Sequence, residues 1–369
     1  MKSYLCAVGT ANPDHKIPQM QASGFMADVL QFDAAEARKL AALYRVSGIE
    51  NRYTVLEDYT RGNGSFEFFP NTADLEPFPQ VAPRMQVYRE QALPLSLKAI
   101  QNCLESNESL DLQQVTHLVT VSCTGMYAPG LDIEIIESLS LPTTIERTSV
   151  NFMGCYAAFN ALKLANTICR SQPEANVLVV CTELCSLHFQ KSKEHDHLVS
   201  NALFGDGAAA AWVSGKAPKG VSLAFEAFHC ELMSSGKKDM AWHIGNFGFE
   251  MTLSAYIPDL IKKGIRQLSV NLLSRLNLDL PDIKWFAIHP GGRKILEAIE
   301  QELGIGRAEN RFSYAVLRDY GNMSSATVLF VIKEVMKSLG PENDGERVLS
   351  FAFGPGLTME SMLLKINYV

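Results

Sequence analysis

This chain predicts a layered α/β fold made of two similar halves. Three observations carry that reading. The runs Thr116–Ser122, Asn176–Glu183 and Trp285–Ile288 are almost continuously apolar, as strands covered on both faces are. Stretches with apolar residues at helical spacing, such as Ala92, Leu95, Ala99, Ile100 and Leu104, alternate with those runs. The composition then breaks at Ser214-Gly215-Lys216-Ala217-Pro218-Lys219-Gly220, and beyond it the order of elements repeats. The repeat is one of element order, not of residue identity. It divides the chain into residues 1–215 and 220–369.

Taken in order, Leu5 to Thr10 reads as a first strand ending in a turn that Pro13 closes. Gln19 to Arg45 is helical by composition, and Ile49 to Val55 resembles a strand. Asp58 to Val87 is rich in Gly, Pro, Phe and Asn and reads as a long surface excursion. A helix spans Tyr88 to Glu105, a strand Thr116 to Ser122, a loop Cys123 to Gly130 and a helix Ile133 to Leu139. Ser149 to Met153 leans towards strand, Gly154 ends it, and Ala157 to Ile168 is a helix-forming run. Asn176 to Glu183 is a buried strand, and Gly205 to Val213 is a turn into a strand of small residues. In the second half Val221 to Phe228 is a strand and Tyr256 to Leu276 a long helix. Trp285 to Ile288 runs into His289-Pro290-Gly291-Gly292, followed by a helix from Lys294 to Leu303. Gly321 to Ser325 precedes a helix from Ala326 to Leu339. Val348 to Phe353 and Ser361 to Ile366 are paired strands around Gly354-Pro355-Gly356.

The 369 residues are 47% hydrophobic and 20% charged, ordinary for a globular protein long enough to bury a large core. A net charge of −7 argues against bulk attraction to nucleic acid or an anionic membrane. No apolar run approaches the ~20 residues that membrane insertion by a helix needs. The first residues lack the apolar core of a signal peptide. The eight cysteines show no disulfide framework, so thiols in a cytoplasmic protein are expected. His195-Asp196-His197 sits in a charged loop, and Cys181-x3-Cys185 has no second pair, so no metal site is expected. Gly205-x-Gly207 lacks the third glycine and following helix of a dinucleotide site.

Cys155 stands where a strand turns into a helix. Unpaired N–H groups and the helix dipole favour an anion there, which would ease ionisation of a thiol. His289 and Asn322 stand in two similar contexts, at a strand end or loop before a helix. Together the three side chains suit one chemistry. A thiolate attacks a thioester and holds the acyl group. A neutral imidazole and an amide can donate hydrogen bonds to an enolate oxygen without carrying a permanent charge. Each residue alone has an ordinary structural reading, and spacing does not show that they meet.

Gly154-Cys155, Ile288-His289-Pro290-Gly291-Gly292, Tyr320-Gly321-Asn322-Met323-Ser324-Ser325 and Phe353-Gly354-Pro355-Gly356-Leu357-Thr358 resemble the type III polyketide synthases, the chalcone and stilbene synthase family. Gly9-Thr10-Ala11-Asn12-Pro13 and Ala202 to Ala209 match as well, so the resemblance covers nearly the whole chain. It implies a thiolase-like fold in α-β-α-β-α layers and a homodimer. It also implies iterative decarboxylative condensation of malonyl-CoA onto an acyl-CoA starter, with CoA thioesters as substrates and no cofactor. Cys155 would carry the acyl chain, and His289 and Asn322 would polarise the malonyl thioester. Phe204 matches a gatekeeper that excludes water from the enolate. Thr124, Ser324, Phe353, Gly354 and Pro355 fall at pocket positions by the same resemblance.

The chain also departs from the plant pattern. A second gatekeeper phenylalanine is Met251 here, and threonines of the cavity are Cys123, Cys185 and His188. Trp242 replaces a glycine, which should reduce room for the growing chain. The resemblance therefore points to a microbial-type member making a pyrone, resorcinol or phloroglucinol rather than a chalcone. Of the family's basic CoA contacts only Lys39 is kept, with Arg45 and Arg293 as substitutes on charge grounds and Gly291 and Gly292 beside them. Three rival readings remain: a single-condensation β-ketoacyl synthase, a cysteine hydrolase of thioesters, and a catalytically silent acyl-CoA-binding subunit.

Overall fold

The structure, a computed structural model, describes residues 2–62 and 64–369. The first half contributes strands β1 (Tyr4–Ala11), β2 (His15–Pro18), β3 (Asn51–Thr54), β4 (His117–Ser122), β5 (Glu146–Asn151), β6 (Asn176–Leu184) and β7 (Asp206–Ser214). Its helices are α1 (Gln19–Val29), α2 (Ala34–Val46), α3 (Val81–Glu105), α4 (Leu131–Ser138), α5 (Ala157–Ser171) and α6 (His195–Leu203). The second half adds β8 (Val221–Leu232), β9 (Met240–Gly245), β10 (Gly248–Leu253), β11 (Trp285–Ile288), β12 (Arg347–Gly354) and β13 (Thr358–Tyr368). With them come α7 (Ile257–Leu273), α8 (Arg293–Leu303), α9 (Arg311–Tyr320) and α10 (Thr327–Lys337).

Nine strands form one sheet in the order β11-β12-β13-β8-β1-β7-β6-β4-β5. The order repeats about its middle. Strands β4, β6, β7 and β1 are paired parallel, antiparallel and antiparallel, and so are β11, β12, β13 and β8. The two sets meet only at the short β1–β8 pairing, Tyr4 opposite Ala224 and Leu5 opposite Leu223. Helices α5 and α10 each touch strands of both sets, so the sheet doubles back at that seam with the two helices inside. Helix α3 covers the outer face of the first set, and α7 with α8 covers the outer face of the second. The result is five layers, helix–sheet–helix–sheet–helix.

Burial on both faces explains the apolar runs. Along β6, Val177, Val179 and Cys181 point to the inner helices, whereas Leu178, Val180 and Leu184 point to the outer core. Along β12, Val348 and Ala352 point inward and Leu349, Phe351 and Phe353 outward. The inner helix α5 buries Ala157, Ala158, Ala161 and Ala165. Small side chains there let a helix lie close between two sheets.

The structure corrects several expectations. The helical stretch Gln19–Arg45 is two helices, broken where Gln31 turns to a φ of 50°. The second opens with a capping box: Asp33 Oδ1 accepts from the amides of Ala35 (2.7 Å) and Glu36 (2.8 Å), and Glu36 answers on the Asp33 amide (2.9 Å). The excursion at 58–87, of which Asn63 lies outside the described residues, ends at residue 80, where α3 starts. It is no simple surface loop, because Phe66, Phe69, Leu75 and Phe78 are buried and the Asp58 carboxylate accepts from the amides of Glu67, Phe68 and Phe69. That carboxylate supplies the backbone partners a buried loop needs. His195 does not lie in a loop but starts α6, and among the described residues no cluster of His, Cys, Asp or Glu could hold a metal. The β9–β10 hairpin and α9 were not foreseen. No helix among the described residues is long and apolar enough to cross a membrane.

Candidate active site

Cys155 lies between the end of β5 and the start of α5. The chain gets there through two residues with positive φ, Phe152 (61°) and Gly154 (84°). A side chain at 154 would also strike Pro355, whose Cδ lies 2.3 Å from the position a Cβ would take. The Gly354-Pro355 segment after β12 thus packs directly on the turn, and Gly354 itself faces the Tyr156 ring. Beneath the turn, the Gly154 amide donates to Cys123 Sγ at 3.0 Å. Cys123 is a support, and burial pushes its thiol well above the usual range. Phe353, the neighbour of Gly354, is buried in the outer core.

His289 follows β11, where its amide bonds the Phe351 carbonyl at 2.8 Å. The residue is 1% exposed, and neither ring nitrogen has a hydrogen-bond partner. Burial lowers its pKa to about 3, so the ring is neutral. Gly291 lies beside the ring, its Cβ position 3.8 Å from Nε2. The Gly291 carbonyl accepts from Asn322 Nδ2 at 3.3 Å. Asn322 Oδ1 is held from the other side by the Ser324 amide at 2.9 Å. These bonds leave the Asn322 amide 4.0 Å from Cys155 Sγ through Nδ2 and 3.9 Å through Oδ1. The structure therefore brings all three side chains into one buried site, with Gly291 between imidazole and amide.

The thiol behaves otherwise than its helix-start position suggested. Burial pushes Cys155 up to about 12, against the lowering by Ser324 and Asn322. No hydrogen bond joins Sγ to the imidazole. Burial favours the neutral thiol at Cys155 and the neutral ring at His289.

Two cavities flank the site. An apolar one of about 170 Å³ opens between α2, α6, residues 253–258 and the start of α8. Leu43, Val46, Val199 and Ile257 line it with Gly291, Gly292 and Arg293. Lys39 and Arg45 do not. Lys39 stands one turn before Leu43 on the same face of α2, and Arg45 is off that face. Arg293 is paired with Glu297 at 2.7 Å. The inner cavity is small, about 40 Å³, and is lined by Cys185, His188, Phe204, Trp242 and Met251 among others. Phe204 lines the inner cavity, and its neighbours Ala202 and Leu203 line the outer one.

The inner wall is firmly tied. His188 Nδ1 accepts from the Phe249 amide at 3.0 Å and Nε2 meets the Thr124 carbonyl at 2.7 Å. The ring is thus a neutral Nε2–H tautomer, its pKa lowered by burial to about 3. It stacks on Phe249 at 4.2 Å, and the Trp242 indole donates to the Cys123 carbonyl at 2.7 Å. Thr124 does not face the cavity. Its hydroxyl donates to Glu183 at 2.9 Å.

Glu183 was missed from sequence. Fully buried at the end of β6, it binds the Cys123 amide (2.9 Å), Thr124 and the Ser325 hydroxyl, and so fastens the Asn322 loop to the Cys123 turn. Its burial raises the carboxyl above its ordinary value. A lone acidic residue closing an apolar strand was the available signal. Arg52 and Phe249, which also line the inner cavity, had none.

Comparisons with known proteins show the family of the chain. The family model for chalcone and stilbene synthases, N-terminal domain, matches residues 1–218, and that for the C-terminal domain matches residues 225–367. A putative chalcone synthase of Bacillus subtilis is 31% identical over 98% of this chain and 98% of its own length. An alpha-pyrone synthesis polyketide synthase-like protein of Mycobacterium tuberculosis is 30% identical over 97% of this chain and 90% of its own. Against a probable polyketide synthase of Dictyostelium discoideum, also 31% identical, the chain spans only 11% of the relative's length. The crystal structure of the C-terminal type III polyketide synthase domain of Steely1, a Dictyostelium hybrid, superposes with a TM-score of 0.90 at 29% identity, covering 100% of both chains. With its thiolase-like layers and its buried cysteine, histidine and asparagine, the chain belongs to the chalcone and stilbene synthase family and is an acyl-transferring enzyme of the type III polyketide synthases.

Proposed function

We propose that this enzyme loads an acyl group from a CoA thioester onto Cys155 and extends it with malonyl-CoA. The neutral imidazole of His289 takes the Cys155 proton as Sγ attacks the starter, and the departing CoA thiolate receives it back. The malonyl thioester carbonyl then accepts hydrogen bonds from His289 and Asn322. Loss of CO₂ leaves an enolate whose oxygen those two donors stabilise. The enolate carbon attacks the Cys155 thioester; the C–C bond forms, the C–S bond breaks and the thiolate leaves. Because neither donor carries a charge before reaction, the site favours the developing enolate over its carboxylate precursor.

One observation supports this above the others. The buried His289 ring has two nitrogens without protein partners, next to an amide 4.0 Å from the only cysteine on that turn. A buried polar group left unpaired calls for a partner, and a substrate carbonyl supplies one. The apolar outer cavity suits a pantetheine arm, with Arg293 and Lys294 at its rim for the CoA phosphates. Phe204 stands between that arm and the acyl chain. The name of the mycobacterial relative favours a pyrone among the ring products. A homodimer is supported by β5, an exposed strand unpaired on its outer edge. Eight free thiols support a cytoplasmic setting.

The test is Cys155→Ala. Intact-mass analysis should show no acyl adduct with any starter, while some malonyl-CoA decarboxylation persists because His289 and Asn322 remain. Full product formation by that variant would remove Cys155 from the mechanism. His289→Ala should lower both loading and decarboxylation.

A further inference from the structure

We propose that Arg52 is a positioning residue for the condensation step, tying the Phe204 gate and the Asn322 amide into one rigid unit. The inference rests on the decarboxylative reading above.

Arg52, on β3, is buried. Its Nη1 donates to the carbonyls of Asn201 (2.7 Å) and Phe204 (2.6 Å), so a cation closes the C-terminal end of α6 just where the gate begins. The gate is in turn clipped to Asn322. The Asn322 backbone N–H donates to the Leu203 carbonyl at 2.9 Å, and the Gly205 backbone N–H donates to the Asn322 backbone carbonyl at 2.9 Å, which fixes the residue that carries the side-chain amide. Phe204 and Asn322 thus pair as an isolated parallel bridge, with the arginine on one side. The arginine stem also runs against Gly321, which has a φ of 71°. A Cβ there would lie 2.9 Å from Arg52 Cγ and 2.9 Å from the Leu203 carbonyl. Glycine at 321 is what lets Arg52 pass. One side chain therefore sets both the water seal and the enolate donor, from outside the reacting atoms.

This matters for one branch point. The enolate left after CO₂ departs either attacks the Cys155 thioester or takes a proton and leaves as acetyl-CoA. Attack needs Asn322 in place and water excluded. A loosened unit should send more enolate down the second branch without stopping decarboxylation.

The experiment uses the whole enzyme with labelled malonyl-CoA and hexanoyl-CoA, and reads acetyl-CoA released per two-carbon unit incorporated. Arg52→Met keeps much of the side-chain volume and removes the charge and both bonds; it should raise that ratio roughly tenfold. Arg52→Lys, which keeps the charge, should recover part of the coupling. Gly321→Ala crowds the same clip with the arginine still present and should uncouple as well. It carries the test if Arg52→Met is not recovered folded. A purely structural arginine would lower stability and total turnover but leave the ratio at its wild-type value; that result in Arg52→Met, or in Gly321→Ala where Arg52→Met is not recovered folded, overturns the proposal. Wild-type enzyme that forms no polyketide from malonyl-CoA would instead overturn the reaction itself.

Discussion

Replacing Gly154 by alanine should damage catalysis far more than stability, and the two losses can be worked separately. The new Cβ would stand 2.3 Å from Pro355 Cδ where ordinary contact begins at 3.4 Å, a shortfall of about 1.1 Å. A proline ring has little freedom to turn aside, so either the Cys155 turn or the Pro355 loop moves by about that much. Overpacking of this kind costs ~1–3 kcal/mol. A left-handed φ for a residue with a Cβ adds ~1–2 kcal/mol. At ~2.1 cal/mol/K of unfolding entropy per residue, the sum lowers Tm by about 3–6 °C. A shift of about 1 Å at the nucleophile costs on the order of 10²-fold in rate. The control is Gly304→Ala at the end of α8, where φ is 69° and nothing lies within 4 Å of the Cβ position. It isolates the backbone strain and should cost about 1–3 °C with turnover unchanged. The assay pairs thermal melting with the rate of acyl loading followed by mass. If Gly154→Ala loads starter at the wild-type rate, or if Gly304→Ala loses as much, the packing argument for the turn is wrong.

Two further tests concern the inner wall and acid stability. With hexanoyl-CoA as starter, Trp242→Ala and His188→Phe should both give products longer by at least one malonyl-derived unit. The 40 Å³ cavity holds roughly three water-sized groups as it stands, and the wall that limits it hangs on those two side chains. Products of unchanged length would show that the wall does not limit the chain. His188 and His289 both have pKa values lowered by burial to about 3 from 6.5. The unfolded chain therefore binds more protons between those values. Their contribution to stability is intact above pH 6.5 and is lost as pH falls towards 3, at ~1.4 kcal/mol per pH unit for each ring. Asp206, raised by burial from 3.8 to about 6, and Glu183, also raised by burial, act in the opposite sense, their contributions being lost as pH rises through their folded values. Urea unfolding at stepped pH should show stability falling less steeply below pH 6.5 in His188→Phe than in the wild type. Equal slopes in the two proteins would refute the neutral burial of that ring.

The strands easiest to foresee were those buried on both faces. Val177 to Glu183 could hardly be anything else, because its alternate side chains feed two cores at once. The β9–β10 hairpin was invisible for the opposite reason. It pairs only with itself, exposes His243, Ile244 and Phe247, and turns on Asn246 and Phe247 rather than a strong turn pair. The three reacting side chains were legible because each carries a chemical type in a marked local context. Their protonation was not, since a helix start argues for a thiolate while burial, a property of the finished fold, argues for a thiol. Arg52 illustrates what a sequence hides. It is an unremarkable basic residue until α6, 149 positions away, brings a carbonyl to its Nη1.

The place of β13 in the sheet bears on when this enzyme becomes chemically competent during synthesis. Residues 358–368 are the last strand in chain order, yet they do not lie at an edge: they sit between β12 and β8 and bond to both. Until they emerge, β12 lacks the partner on one side that steadies the Gly354-Pro355 segment against the Cys155 turn. A chain in which β13 has not paired thus holds Cys155 without that support. Completion of the centre therefore needs the non-local β8–β13 pairing as well as the local β12–β13 one.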